Sequence, residues 1–281
     1  MAEIHAWRPS VAGVAEVFHA RFTDHAYPMH VHGTWTLLIV DDGVVRYDLD
    51  RHEHGAPGDI VTLLPPHVPH NGTAATAHGF RKRVVYLDGD RLDERLIGTA
   101  VDRPELRDPL LRRRVHGLHT ALTLPGEELE AESRLVLICE RLEGHLRRTA
   151  GAVPDRRDAG LAHRLRDLLD ARVTAGLTLA EAARLLHAHP SHLVRAFGRE
   201  YGMPPHRYLT TRRVDLARGL LLAGLPVPEA AVAAGFCDQS HLTRHFRRVV
   251  GVGPGRYARR GRPEPAGGPA QSRRLMSPRA R

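Results

Sequence analysis

Along the first ninety residues the apolar positions come in short bursts. Residues 36–40, 44–49, 59–64 and 84–87 are such runs, separated by turn signals at Asp42 and Gly43, at Ala56, Pro57 and Gly58, and at Pro65 and Pro66. Residues 20–90 therefore predict many short strands at close spacing, the pattern of a sandwich or small barrel. From about Pro104 the period changes. Leu106, Leu110, Leu111, Val115 and Leu118 recur at helical spacing. A second helix is expected over residues 127–149, with Leu135, Ile138, Leu142 and Leu146 on one stripe. Such a stripe packs on its own domain or pairs with a second copy. Residues 151–158 (GAVPDRRD) read as a linker. Helical patterns then run from Leu161 to Tyr257, and the stretch from Gly261 has no core pattern.

The helical part repeats itself. At an offset of 49 residues, Ala182 meets Ala231, Ser191 meets Ser240, His192 meets His241, Leu193 meets Leu242 and Arg195 meets Arg244. Phe197, Arg199, Gly202, Pro205, Arg207 and Tyr208 find Phe246, Arg248, Gly251, Pro254, Arg256 and Tyr257. These are 11 identities in 27 positions, where chance would give roughly two. Each unit has the same inner logic. Residues 179–186 form an apolar-faced helix, residues 187–190 break it, and Ser191 can cap a second helix. On that helix Leu193 and Phe197 face inward at i and i+4. In the second unit residues 228–234 form the first helix, Gly235 permits a tight turn, and Asp238 or Ser240 caps the next. There Leu242 and Phe246 are buried, and His241, Arg244, Arg247 and Arg248 stay outside. A helix, a turn and a second helix with an exposed basic side is a helix-turn-helix unit, whose second helix enters the major groove. The joining helix, residues 205–222 with Val214, Ala217, Leu220 and Leu221 buried, would hold two such helices about 34 Å apart.

Charge supports a polyanionic partner. The net charge is +9, but residues 155–281 carry 23 basic and 10 acidic side chains against 18 and 22 in residues 1–154. A basic back half beside a slightly acidic front half suits nucleic acid. Arginine forms bidentate bonds to guanine and binds phosphate. Lys82 is the only lysine. Two cysteines, Cys139 and Cys237, supply neither a disulfide framework nor a four-ligand zinc site. No apolar run approaches a membrane span and the start has no secretory pattern, so a cytoplasmic protein without a membrane partner is expected.

Two words carry a resemblance: SHLVRAFGREYGMPPHRYL in the first unit and AAVAAGFCDQSHLTRHFRRVVGVGPGRY in the second. Over residues 161–260 the chain resembles the DNA-binding domain of the AraC/XylS regulators, although the turn at residues 187–190 is unusual. In front, PMHVHGTWTLLIV and PGDIVTLLPPHVPHNG resemble a cupin, the small double-sheet barrel of many AraC-type sensor halves. The resemblance implies an α+β chain of two domains: a cupin-like barrel with following helices, then an all-α domain of two helix-turn-helix units joined by a linker helix. The expected boundaries are 1–100 for the sensor, 101–154 for a helical dimerisation and linker region, 155–261 for the DNA-binding domain and 262–281 for a disordered basic tail. Candidate DNA contacts are Ser191, His192, Arg195, Arg199, Gln239, His241, Arg244, His245 and Arg248.

His30 and His32 lie two apart on an expected strand and share a face, and His70 can complete the cluster. Candidate effector contacts are His30, His32, Trp35, His67 and His70; His67 can equally be an exposed turn residue. The usual cupin glutamate is missing, since residues 33–37 supply no carboxylate, so neither a metal nor another cofactor is assigned. The leading reading is a transcription regulator, an activator by family habit, that binds promoter or operator duplex as a homodimer, answers a small-molecule effector and touches RNA polymerase. A metal-dependent cupin enzyme with a helical interaction module, its iron or manganese held by His30, His32 and His70, remains the alternative. Non-specific DNA packaging fits less well, because the two reader helices are decorated differently.

Overall fold

The computed structural model describes residues 2–23, 26–50, 52–147 and 158–260. The front of the chain folds into two facing sheets. The larger contains β1 (Ala2–Trp7), β2 (Val14–Phe22), β9 (Phe80–Leu87), β4 (Trp35–Gly43), β7 (Val61–Leu64) and the short β10 (Glu105–Leu106), in that order. The smaller runs β3 (Ala26–His30), β8 (His70–Ala74), β5 (Val45–Leu49) and β6 (His52–Ala56). Every pairing is antiparallel. The expected runs all appear as strands, with different roles for their boundaries. Asp42 and Gly43 are not a hairpin turn. β4 continues through them, and the chain then crosses to the other sheet, because β4 pairs with β7 and β9 whereas β5 pairs with β6 and β8. Gly43 has φ +73°, and a Cβ there would stand 2.2 Å from the Gly79 carbonyl. Only glycine tolerates both the backbone conformation and that approach.

Residues 35–40 of β4 are buried on both faces, because the larger sheet lies between two layers. Thr36, Leu38 and Val40 look toward the smaller sheet. Leu38 and Val40 there share a core with Phe22, Phe80 and Val84 and with Val45, Tyr47 and Leu49 opposite. Trp35, Leu37 and Ile39 look the other way, onto helices. After the short α1 (Ile97–Asp102) come α2 (Pro109–Leu122) and α3 (Glu128–Leu146). Their stripes of Leu111, Val115 and Leu118, and of Leu135, Ile138, Leu142 and Leu146, close this second core. Asp108 ties the pair together. It caps α2 through the amides of Leu110 and Leu111, forms an ion pair with Arg141 and bonds His145 at 2.6 Å.

The expected linker at residues 151–158 lies outside the described residues except for Asp158, which caps α4 (Ala159–Ala171). The tail beyond residue 260 also lies outside them. Then follow α5 (Leu179–Leu186), α6 (Pro190–Tyr201), α7 (Pro205–Leu222), α8 (Val227–Ala233), α9 (Gln239–Val250) and α10 (Pro254–Arg260). Phe197 and Leu193 centre one core and Leu242 and Phe246 another. α7 serves both, giving Leu209 to the first and Val214, Ala217 and Leu221 to the second. α3 also has a second employment. Leu129, Val136 and Leu137, on its side away from the barrel, pack against the first helical unit. Among the described residues no helix is long and apolar enough to cross a membrane.

Candidate functional sites: a barrel pocket and two reader helices

Between the two sheets lies a pocket of about 540 Å³, the size of a small-ligand site. His30, His32 and His70 meet on its wall with ring centroids 4.5–5.2 Å apart. Nδ1 of His30 donates to the Pro28 carbonyl at 2.7 Å and Nδ1 of His70 to the Val68 carbonyl at 3.0 Å. A carbonyl can only accept, so Nδ1 of each ring carries a hydrogen, and in a neutral ring Nε2 is then the acceptor. Burial, reinforced by the neighbouring rings, pulls His32 down to about 4. Burial also lowers His70. His32 and His70 are therefore neutral near pH 7.

The two other expected effector contacts do not line this pocket. Trp35 is fully buried in the helix-facing core and donates its indole N–H to the Gly89 carbonyl at 3.3 Å. Strand alternation puts Thr36 and Leu38, not Trp35, on the pocket side. His67 is an exposed loop residue at φ +62°. In their place stand Tyr27, Tyr47, Lys82 and Tyr86. Lys82 Nζ sits 4.0 Å from the centre of the Tyr27 ring, a cation–π contact. Burial brings its ammonium down to about 8 and pushes the Tyr86 phenol up to about 12. The hydroxyls of Tyr27 and Tyr47 are buried away from solvent. The period of two would have found Lys82, which shares its strand face with Phe80, Val84 and Tyr86.

The three imidazoles are a sufficient donor set for a transition metal, with ligand atoms within 4.8 Å of one another. The Lys82 ammonium on the same cavity wall opposes a second cation and favours an anion.

The reader helices differ from expectation in their wet arc. α6 is capped by His189, whose Nδ1 accepts from the Ser191 amide, with Pro190 at the first helical position. Ser191 is therefore inside the first turn and buried, not the cap. His192 lies 3.3 Å from the Asp158 carboxylate. Arg195 forms an ion pair with Glu140 of α3. α9 is capped by Asp238, whose carboxylate accepts from the His241 amide at 2.6 Å. His241 and His245, expected outside, are buried. His245 Nε2 and Arg244 Nη2 reach the same Glu127 oxygen at 2.7 and 2.8 Å. The inward arc of α9 is wider than Leu242 and Phe246 alone, because the start of α3 covers the adjoining stripe. Burial would raise Glu127, but the bonds from His245 and Arg244 win and hold it at about 2. Burial, with His245 adding to it, lowers His241 to about 4. Of the nine candidate DNA contacts, Gln239 and Arg248 are exposed, His192, Arg195, Arg199 and Arg244 are half-exposed, and Ser191, His241 and His245 are buried. No pattern in the sequence marks Glu127 or Glu140, since their partners lie more than fifty residues away along the chain.

A family model described as an AraC-like ligand binding domain matches residues 13–139, and one described as a helix-turn-helix domain matches residues 182–260. The chain is similar to the uncharacterized HTH-type transcriptional regulator YbfI of Bacillus subtilis (strain 168), at 24% identity over 224 residues, covering 76% of this chain and 80% of that protein. Among solved structures, the C-terminal domain of AraT, a response regulator from Geobacillus stearothermophilus, matches at 27% identity, 41% of this chain, 94% of that one and a TM-score of 0.35. ToxT from Vibrio cholerae O395 matches at 12% identity, 92% of this chain, 96% of that one and a TM-score of 0.33.

Proposed function

The chain belongs to the AraC/XylS family of transcription regulators, and from that premise we propose that it is a cytoplasmic activator switched by a small acid held in its barrel. It is a regulator and not an enzyme. The observation that carries the reading is the duplicated pair of helix-turn-helix units with α7 rooted in both cores. One rigid chain can thus offer α6 and α9 to successive major grooves. The effector class follows from the pocket: neutral imidazoles and tyrosine hydroxyls for polar groups, apolar walls for a carbon skeleton, and Lys82 for a carboxylate.

The pairing of Arg195 with Glu140 and of Arg244 with Glu127 describes the state that does not read DNA. In the reading state those arginines, with His192, Arg199, Gln239 and Arg248, face the duplex. Effector binding shifts the balance through the larger sheet, whose strands carry pocket residues on one face and contacts to α2 and α3 on the other. The apolar stripe of α3 is used within the chain, so a homodimer and any contact with RNA polymerase would use other surfaces. Genome-wide mapping of bound sites tests the reading. A defined motif in two subsites about one helical turn apart is expected. Binding without sequence preference would overturn it.

A further inference from the structure

We propose that Glu127, His241 and His245 form a binding site for a divalent transition-metal ion of the zinc class, placed where the sensor domain meets the second reader helix. The proposal rests on the closed state described above and names a ligand that holds it. His241 and His245 are four apart on α9 and so share one face, the spacing with which a helix offers two imidazoles to one ion. Their rings are 5.0 Å apart, centre to centre. Glu127 adds a carboxylate from the other domain. The three ligand atoms lie within 4.8 Å of one another, and all three residues are buried. Nitrogen ligands sit about 2.0–2.1 Å from zinc, so movements of about 1 Å by these side chains would complete the coordination. Cys237 Sγ lies 3.2 Å from Nδ1 of His241, beside the cluster and outside its three ligand atoms. The two imidazole donors select the zinc class over magnesium or calcium.

The backbone reserves the space. Gly126 has φ +81°, and a Cβ on it would stand 2.0 Å from Cε1 of His241. Any other residue would drive the ring from its place. An ion here takes over the carboxylate charge that Arg244 now shares and bridges the two domains directly. Because both histidines flank Arg244 on the reader helix, the bridge keeps that helix off the groove. Metal then acts as an inhibitor of DNA binding, held by the closed form and not the open one.

The test uses the full chain after chelator treatment, titrated with Co²⁺ and then Zn²⁺. Wild type is expected to develop the visible absorption of tetrahedral cobalt, and Zn²⁺ to displace it. Glu127→Gln in the sensor domain and His245→Asn on α9, each with unchanged circular dichroism, should lose that absorption, whereas His32→Asn in the barrel keeps it. Zn²⁺ should weaken operator binding by wild type roughly tenfold and leave Glu127→Gln unaffected. Absence of a tetrahedral cobalt spectrum, its survival in Glu127→Gln and His245→Asn, or its loss only in His32→Asn overturns the proposal. Failure of the metal-free protein to prefer any DNA sequence would instead overturn the regulator reading and leave the cobalt result standing.

Discussion

Glu140→Gln should make the effector-free protein bind its operator more tightly. The change keeps the size of the side chain and removes its charge, so Arg195 loses its ion pair and α3 keeps its packing. The side chains of both partners are a quarter exposed. A hydrogen bond between charged groups contributes about 1.5–3 kcal/mol when shielded, and a fully exposed pair about 0–1 kcal/mol. For this intermediate exposure about 1 kcal/mol is appropriate. That energy favours the closed form only, so its loss raises the open fraction and lowers the apparent Kd by roughly fivefold. Fluorescence anisotropy with a labelled duplex carrying a mapped site measures it, at one salt concentration because phosphate contacts make affinity salt-dependent. Arg195→Ala is the necessary companion. It also breaks the pair, but it removes a groove contact and should bind more weakly than Glu140→Gln. Unchanged or weaker binding by a normally folded Glu140→Gln protein would refute the clamp.

Phe246→Ala empties the centre of the second helical core, where the ring is fully buried; a loss of about 3–5 kcal/mol in urea denaturation is expected, with operator binding lost in parallel. Lys82 titrates at about 8 in the folded chain against 10.5 ordinarily. Between those values the unfolded chain holds a proton that the folded chain has released, so stability should climb with pH across that window. The climb should be roughly 1–2 kcal/mol, reduced because the pocket admits water, and flat in Lys82→Met. Arg248→Ala, on the exposed side of α9, should reduce the slope of log affinity against log salt by about one if the side chain holds a phosphate; an unaltered slope rejects that contact. Gly43→Ala, with its Cβ driven into the Gly79 carbonyl, should lower the thermal midpoint, whereas Gly55→Ala, which meets nothing within 4 Å, should have far less effect.

The periodicity in the sequence located strands and helices because each element buries a face. Residues 179–186 and 205–222 coincide with α5 and α7, where apolar stripes and end signals agree. What escaped was which of two buried faces a residue joins. In β4 both faces are covered, so hydrophobicity alone did not separate Trp35 from Thr36, although the alternation did. Strand positions such as those of β1, β2 and β6 carry histidines, charges and alanines on half-wet surfaces, and little in their composition marks them. On α9 the repeat correctly placed Leu242 and Phe246 in the core, but His241 and His245 are covered by a helix from another domain. Contacts of that kind depend on how two folded units meet, which no local pattern encodes. The same holds for the ion pairs that now occupy Arg195 and Arg244.

α3 is a party wall. One side completes the barrel domain through Leu135, Ile138, Leu142 and Leu146, and the other leans on the helical domain through Leu129, Val136 and Leu137. Anyone grafting this sensor onto a foreign reader would naturally join the two after residue 147. Such a hybrid would fold its front half yet bare three large aliphatic side chains to water. Clean chimeras must therefore carry a matching counter-surface along with the new reader, or recolour that side of the wall with polar residues.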